Sequence, residues 1–436
     1  MRQFLVFFLL FPFCAHGQQY MTDYSGPVFP PNHALNMPID SLPVHPNSAN
    51  FISSIGLNTS LHPDFGTSWD DGTTLHPMGI PYNVVGAGQP FVRIDFVSYA
   101  DESDPGPWPI PQNPTVEGVF DWHDSTPGDR HVLIVDSSSH ILYETGEVYQ
   151  SQDGTWQGAC GAVFQLDSTK LRPETWTSAD AAGLPIFPLL IRYDEVERAL
   201  ATDGVCHHAV RFTASNTQRA YIWPARHYAS SSTNPNRPPM GLRFRLKAGV
   251  DISGYAPRMQ VILRTLKKYG LIMSDNGSNW YFQGTHDDRW NDDEINSLKN
   301  LHGRDFEAVD ISPWTSRPGF DPNSAAVPPS HAVSIGPTQE SSAPSVFELK
   351  QNYPNPFNPA TRIQFGLPED ERVLLIIVDV MGRRIATLVD GVVKAGRHDA
   401  IWSGVDEHGQ SAASGIYFYR LQTHHTISMK KMVLMR

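Results

Sequence analysis

Along this chain apolar and polar positions alternate more often than they recur at helical spacing. Runs at 91–99, 131–136, 141–149, 162–166, 208–213, 220–223 and 242–248 are rich in β-branched and aromatic residues and suit a pleated surface. LRFRL at 242–246 alternates strictly, so Arg243 and Arg245 share one face and three apolar residues share the other. DSSSH at 136–140 reads as a hairpin loop between two of these strands. Helical spacing is confined to three places. Met259, Ile262, Leu263 and Leu266 form one stripe over 257–269, with Lys267 and Lys268 in the last turn and Gly270 as the stop. Residues 194–200 predict a helical turn or two. Asn291 and Glu294 form a capping-box-like pair ahead of Ile295, Leu298 and Leu301. Many strands and few helices predict a mostly β chain whose main body, 45–315, is a β-sandwich or jelly-roll-like domain.

The pattern breaks at both ends of that body. Residues 1–17 combine Arg2, an apolar run at 4–11 and the small residues Ala15 and Gly17, which is the form of a secretory signal peptide. The run is far shorter than the ~20 residues of a spanning helix, and Pro12 and Phe13 stand where a lipidation signal at Cys14 needs small residues. The mature chain is therefore expected to be exported, with no membrane span, and to begin with an extension at 18–44. Residues 316–345 form a linker, Ser-, Pro- and Ala-rich and without apolar period from 323 onward. Beyond it, 346–436 returns to dense short strands at 361–365, 373–380, 415–421 and 426–435, which predicts a second, small antiparallel β-sandwich.

The tail opens with NYPNPFNP at 352–359, followed by ATRI, a Gly382-Arg383 turn, GIYFY at 415–419 and Lys430-Lys431-Met432. In this order the segments resemble the type A C-terminal sorting domain of type IX secretion cargo, and Asn355, Pro356, Phe357, Asn358, Pro359, Lys430 and Lys431 stand at the sorting-signal positions. The resemblance implies a partner, the type IX machinery. It also implies export across the outer membrane of a Bacteroidota-like bacterium, followed by tail removal and either release or attachment to surface lipopolysaccharide. Nothing about the chemistry of the main body follows from it.

Composition narrows the partners. The chain is 40% hydrophobic, enough for a real core, and only 18% charged, which argues against a coiled coil. The tail carries 11 basic against 9 acidic residues, whereas 18–345 carries 21 against 36. So acidic a body gives no reason to expect nucleic acid as partner. Cys160 and Cys206 remain after signal removal, and a disulfide and two buried thiols are both open. No cofactor or metal is expected. Two cysteines fall short of a zinc site, the run DESD at 101–104 lacks calcium-loop spacing, and there is no Walker loop, GxGxxG, HExxH or GxSxG.

RYDEV at 192–196, HHAVRF at 207–212, YIWPARHYASSS at 221–232, PPMGLRFRLKA at 238–248 and SDNGSNWY at 274–281 resemble a widespread, largely uncharacterised secreted family of bacteria and fungi. That resemblance implies one autonomous domain and no particular reaction. The candidate chemistry is therefore read from residue types. The hairpin 131–149 gathers His131, Asp136, His140, Tyr143, Glu144 and Glu147, and a glycosidase needs two carboxyls. His208 and Arg211 lie on a strand, on opposite faces by its alternation. Trp223, Arg226, His227 and Tyr228 follow another strand into a Ser-rich loop, where aromatic rings would stack on sugars. Each group also has an ordinary reading: solvated charges, a core histidine, an ion pair, corner packing. The expectation is a secreted or cell-surface protein acting on polysaccharide, a hydrolase in preference to a lyase. Glu144, His208, Arg211, Arg226 and His227 are its catalytic candidates, and Tyr143, Trp223 and Tyr228 its substrate-binding ones. The alternative is a non-catalytic surface glycan-binding or adhesion protein.

Overall fold

A computed structural model describes residues 23–26, 28–317, 319–328, 346–358, 361–402, 404–406 and 412–435. The expected signal peptide, most of the expected linker and the sorting residue Pro359 lie outside these. The chain forms two compact units: one of Met1–Val28, Pro38–Ser168 and Arg172–Val309, the other of Phe29–Met37, Thr169–Leu171 and Asp310–Arg436.

The first unit is mostly β, as its sequence predicts. A six-stranded sheet runs in the order His62–Asp64, Tyr281–Gln283, Val210–Ala214, Leu271–Asn276, Arg243–Leu246, Phe306–Val309. A four-stranded sheet runs Cys160–Gln165, Ile141–Gly146, Val132–Asp136, Tyr82–Val85. Both sheets are mixed. Val210–Ala214 pairs in parallel with Leu271–Asn276, His62–Asp64 with Tyr281–Gln283, and Tyr82–Val85 with Val132–Asp136. The run at 220–223 makes only an isolated bridge, Tyr221 to Met240.

The six-stranded sheet has two different faces. Phe212, Phe244 and Phe306 surround the buried Trp280, with ring centroids 5.6, 5.9 and 5.2 Å from it. Arg211, one residue out of phase with Phe212, points to the other face. The helix Pro257–Lys268 buries the predicted stripe and ends as expected. Gly270 adopts φ +69°, donates to the Thr265 carbonyl at 3.1 Å and lies so close to the Phe244 carbonyl that a Cβ would not fit. The Asn291 side chain accepts from the N–H groups of Asp293 and Glu294, capping Asp292–Asn296. One face of the four-stranded sheet closes a core of Val132, Ile134, Tyr143, Trp108 and Trp156. Leu133 and its cross-strand partner Glu144 point away from that core.

In the second unit the expected small sandwich is present, with every strand pair antiparallel. Its sheets are Glu348–Leu349, Thr361–Leu367, Gly396–Trp402 and Arg384–Val393, Glu371–Asp379, Gly415–Gln422, Ile427–Leu434. Ile363, Phe365, Leu375, Trp402, Tyr419 and Leu434 meet between them. Within the expected linker, Ser324 bridges Lys170 and Ala326 bridges His33, with Ala325 fully buried. Among the described residues no helix is long and apolar enough to cross a membrane.

Candidate functional site

The polar face of the six-stranded sheet carries a row set by register. Asp64 pairs with Gln283, and the antiparallel pairing of Phe282 with Phe212 brings Gln283 beside Arg211. A bulge completes the row. Phe212 pairs with Met273, but Thr213 pairs with Asp275, so Ser274 is an extra residue. The bulge turns Asp275 onto the Arg211 face, where simple alternation would send it toward Phe212.

Arg211 is the centre of this group and is 2% exposed. Its Nε donates to Asp180 Oδ2 at 3.0 Å, Nη1 donates to Gln283, and Nη2 lies 3.9 Å from Asp275. Gln283 in turn donates to Asp64 at 3.4 Å. Asp180 comes from a loop held by Ser178, whose hydroxyl accepts from the Asp180 N–H and donates to the Leu184 carbonyl. The other Asp180 oxygen is buried without a hydrogen-bond partner.

His131 enters from the start of Val132–Asp136. Its Nδ1 meets Glu117 Oε2 at 2.5 Å and its Nε2 meets the Ala179 carbonyl at 3.0 Å. Both ring nitrogens thus face acceptors, which requires the doubly protonated ring. Burial alone would lower its pKa, but the Glu117 charge and hydrogen bond more than reverse this and lift it to about 9. Against a similar burial cost, His131 and Arg211 hold Glu117 below the ordinary carboxyl value. Asp275 moves the other way: burial and then the Asp180 charge push it up to about 7, against the pull of Arg211. Burial raises Asp64 too. The Asp275 side chain is 30% exposed and that of Glu117 20%, so both are partly rather than fully enclosed. One step along the sheet the half-buried His62 and Tyr281 rings lie 3.9 Å apart.

The sequence candidates distribute unevenly around this polar group. Arg211 lies at its centre. Arg226 and His227 border it: their backbone N–H groups donate to Ala182, and His227 Nδ1 donates to Ala181, both next to the Asp180 loop. Arg226 itself is buried, with Nε on the Arg172 carbonyl. Tyr228 stacks on His227 with centroids 5.6 Å apart and on Tyr221 at 6.4 Å, with Arg219 over its ring at 5.7 Å. Trp223 is half-buried. The structure places the remaining three elsewhere. Glu144 is fully buried, with its carboxylate accepting from the Ile186 and Phe187 N–H groups at 2.7–2.9 Å, so it is a structural anchor out of substrate reach. His208 belongs to a separate buried group with Glu195 and Arg192, both contacts 3.0 Å. Tyr143 packs in the four-stranded sheet's core against Trp108 at 5.6 Å. Cys160 and Cys206 are free buried thiols, and burial raises both, Cys160 to about 11.

Asp64, Glu117, Asp180, Asp275 and Gln283 escape a reading of the sequence. HPD and SDNG look like ordinary turn and strand-end chemistry, and only pairing register and the bulge bring them together.

No family model matches the chain, and no curated protein matches it. Among solved structures, dimeric latent PorU from Porphyromonas gingivalis is 24% identical over 20% of this chain and 9% of its own, with a TM-score of 0.18. PorZ from the same organism, described as an essential surface component of its type IX secretion system, is 22% identical over 20% of this chain and 11% of its own, with a TM-score of 0.16. These likenesses span about a fifth of this chain and a tenth of theirs, too little to bear on its function.

Proposed function

We propose that this protein is exported by type IX secretion and that its main body hydrolyses glycosidic bonds of an extracellular polysaccharide at the group of carboxyls around Arg211. The observation that carries the catalytic half is the set of four carboxylates around one buried guanidinium and one imidazolium. Glycoside hydrolysis needs a carboxyl that keeps its proton near neutrality and a second that does not. Asp275 fits the first role. Its burial and its Asp180 neighbour hold the proton, and its partial exposure lets it reach a leaving-group oxygen. Glu117, charge-paired with His131, fits the ionised partner. The rings of His227, Tyr228 and Tyr221 offer a stacking wall beside the Asp180 loop. Export rests on the leader and on the tail's sorting-domain resemblance. In the folded tail Asn355 accepts from the Val433 N–H and Phe357 is 2% exposed, so both motif residues are structural parts of the domain.

The test uses Asp275→Asn and Glu117→Gln in the mature protein, assayed by reducing-end release on a polysaccharide panel. Each is expected to lower kcat by about 100-fold or more, with the melting temperature changed much less for the first than for the second. Undiminished turnover in both variants would remove this group of carboxyls from the chemistry. Glycan binding without turnover in the wild type would leave the binding-protein reading instead, which the aromatic stack alone would satisfy.

A further inference from the structure

The row of polar side chains on the six-stranded sheet has two ends, and the stack of His227, Tyr228 and Tyr221 occupies one of them. Asp64, Gln283, Arg211 and Asp275 stand on four successive strands, so the row spans three strand spacings, about 14 Å. His227 and Tyr228 belong to the Asp275 end. There the Ala182 N–H donates to the Ser274 carbonyl at 2.9 Å, and the Asn276 side chain donates to the Ala229 carbonyl at 2.6 Å.

At the Asp64 end the chain runs through Phe65, Gly66 and Thr67 into a two-stranded ribbon, Ser68–Asp70 paired with Leu75–Pro77. Such a ribbon has little packing of its own, and this one is braced from outside. At its base Thr67 donates its N–H to Asp292 Oδ1 at 3.0 Å and its hydroxyl to Oδ2. Its turn is closed by Asp71, which accepts from the Thr73 and Thr74 N–H groups at 2.7 Å. His76 ties the ribbon to the loop that carries Glu117. Its Nδ1 donates to the Gly118 carbonyl at 3.1 Å, and its Nε2 lies 3.3 Å from Asp71. Glu117 in turn is close enough for its charge to act on Asp64.

Trp69 is the cross-strand partner of His76, and the two rings stack with centroids 4.8 Å apart and planes 24° from parallel. Trp69 is nevertheless 49% exposed. A single exposed apolar side chain is ordinary. Here the indole is backed by a ring that hydrogen bonds hold in place, at one end of a carboxyl row whose other end carries a second aromatic stack. That is the form of a platform for a sugar ring.

We infer that Trp69, backed by His76, is a second sugar-binding residue of this site and holds the glycan chain at the opposite end of the row from Tyr228. This rests on the glycan-hydrolysing reading above and adds a binding residue to it.

The test compares Trp69→Ala, Trp69→Phe and a control, Phe91→Ala, in the mature protein on xylan, galactan, β-glucan, a glucosamine polymer and polygalacturonate. Phe91 is as exposed as Trp69 but packs on Tyr143, in the separate core of the four-stranded sheet. Trp69→Ala is expected to raise KM about 3- to 10-fold, the worth of one stacked ring, with kcat changed by less than about twofold. Trp69→Phe should restore most of the affinity, and Phe91→Ala should change neither constant. An unchanged KM in Trp69→Ala overturns the inference and leaves the hydrolase standing. So does a fall in kcat alone, which would mark a structural role for the ribbon, or an equal loss in Phe91→Ala. Where the wild type binds a polymer without cleaving it, the dissociation constants are compared instead. Weaker binding by Trp69→Ala then keeps the inference and overturns the hydrolase, whereas equal binding overturns both. No binding to any polymer also overturns both.

Discussion

Glu144 and Asp275 are both carboxyls lifted to about 7, yet only one has access to solvent. For Glu144 burial is the cause, opposed by the Phe187 and Ile186 N–H groups. The folded chain therefore holds a proton that the unfolded chain releases above the ordinary value of 4.5. This carboxyl favours the fold fully below that value, and the contribution is lost as pH rises through about 7. Glu144→Gln keeps an acceptor for the same N–H groups and cannot ionise. Its stability relative to wild type should rise by about 2 kcal/mol between pH 5 and pH 8. Calorimetric melting at the two pH values checks this, and a constant difference would rule it out.

At the scale of elements, the tail shows how a short motif closes a sandwich. The Phe357 N–H donates to the Val433 carbonyl at 3.0 Å, and the Met435 N–H donates to the Phe357 carbonyl at 2.9 Å. The opening segment is thereby laid along the last strand, while the Phe357 ring packs 5.5 Å from Trp402. Asn352 donates to Pro354 and Thr361, and its own N–H donates to the Tyr419 hydroxyl. Phe357→Ala should cost the tail about 3–5 kcal/mol through lost burial and a residual cavity. Asn355→Ala, which loses one acceptor at the exposed edge, should cost about 1 kcal/mol. Urea unfolding followed by Trp402 fluorescence separates the two, and equal costs would contradict this packing account. By contrast Lys430 and Lys431 lie on the last strand opposite Tyr419 and Phe418 and leave the core to Met432 and Leu434.

At the scale of the molecule, the tail has a hydrophobic core of its own. A body that folds without the tail but needs it for export should separate the two activities. Removal of residues 346–436 in a host with type IX secretion is expected to retain the protein inside the outer membrane with the proposed glycan activity intact. Release of the truncated protein into the medium would contradict the sorting role proposed for the tail.

Local patterns determined a large part of this protein. Strand content, the helix 257–268 with its glycine stop, the Asn291 cap and the antiparallel tail all follow from spacings within about a dozen residues, where side-chain period and backbone chemistry act directly. Arg211 was legible as a candidate because an arginine inside an apolar strand must meet partners. Which partners it meets was decided by the tertiary structure. Asp64, Asp180, Asp275 and Gln283 are separated from it by 31 to 147 positions, and register, a one-residue bulge and a folded loop bring them to its side. The fate of Glu144 was decided there as well. Strand alternation supplied its face, but only the packing of Ile186 and Phe187 over that face shut it away from solvent. Long-range pairing depends on how whole surfaces fit, and that fit leaves no fixed spacing in the chain for a sequence pattern to reveal.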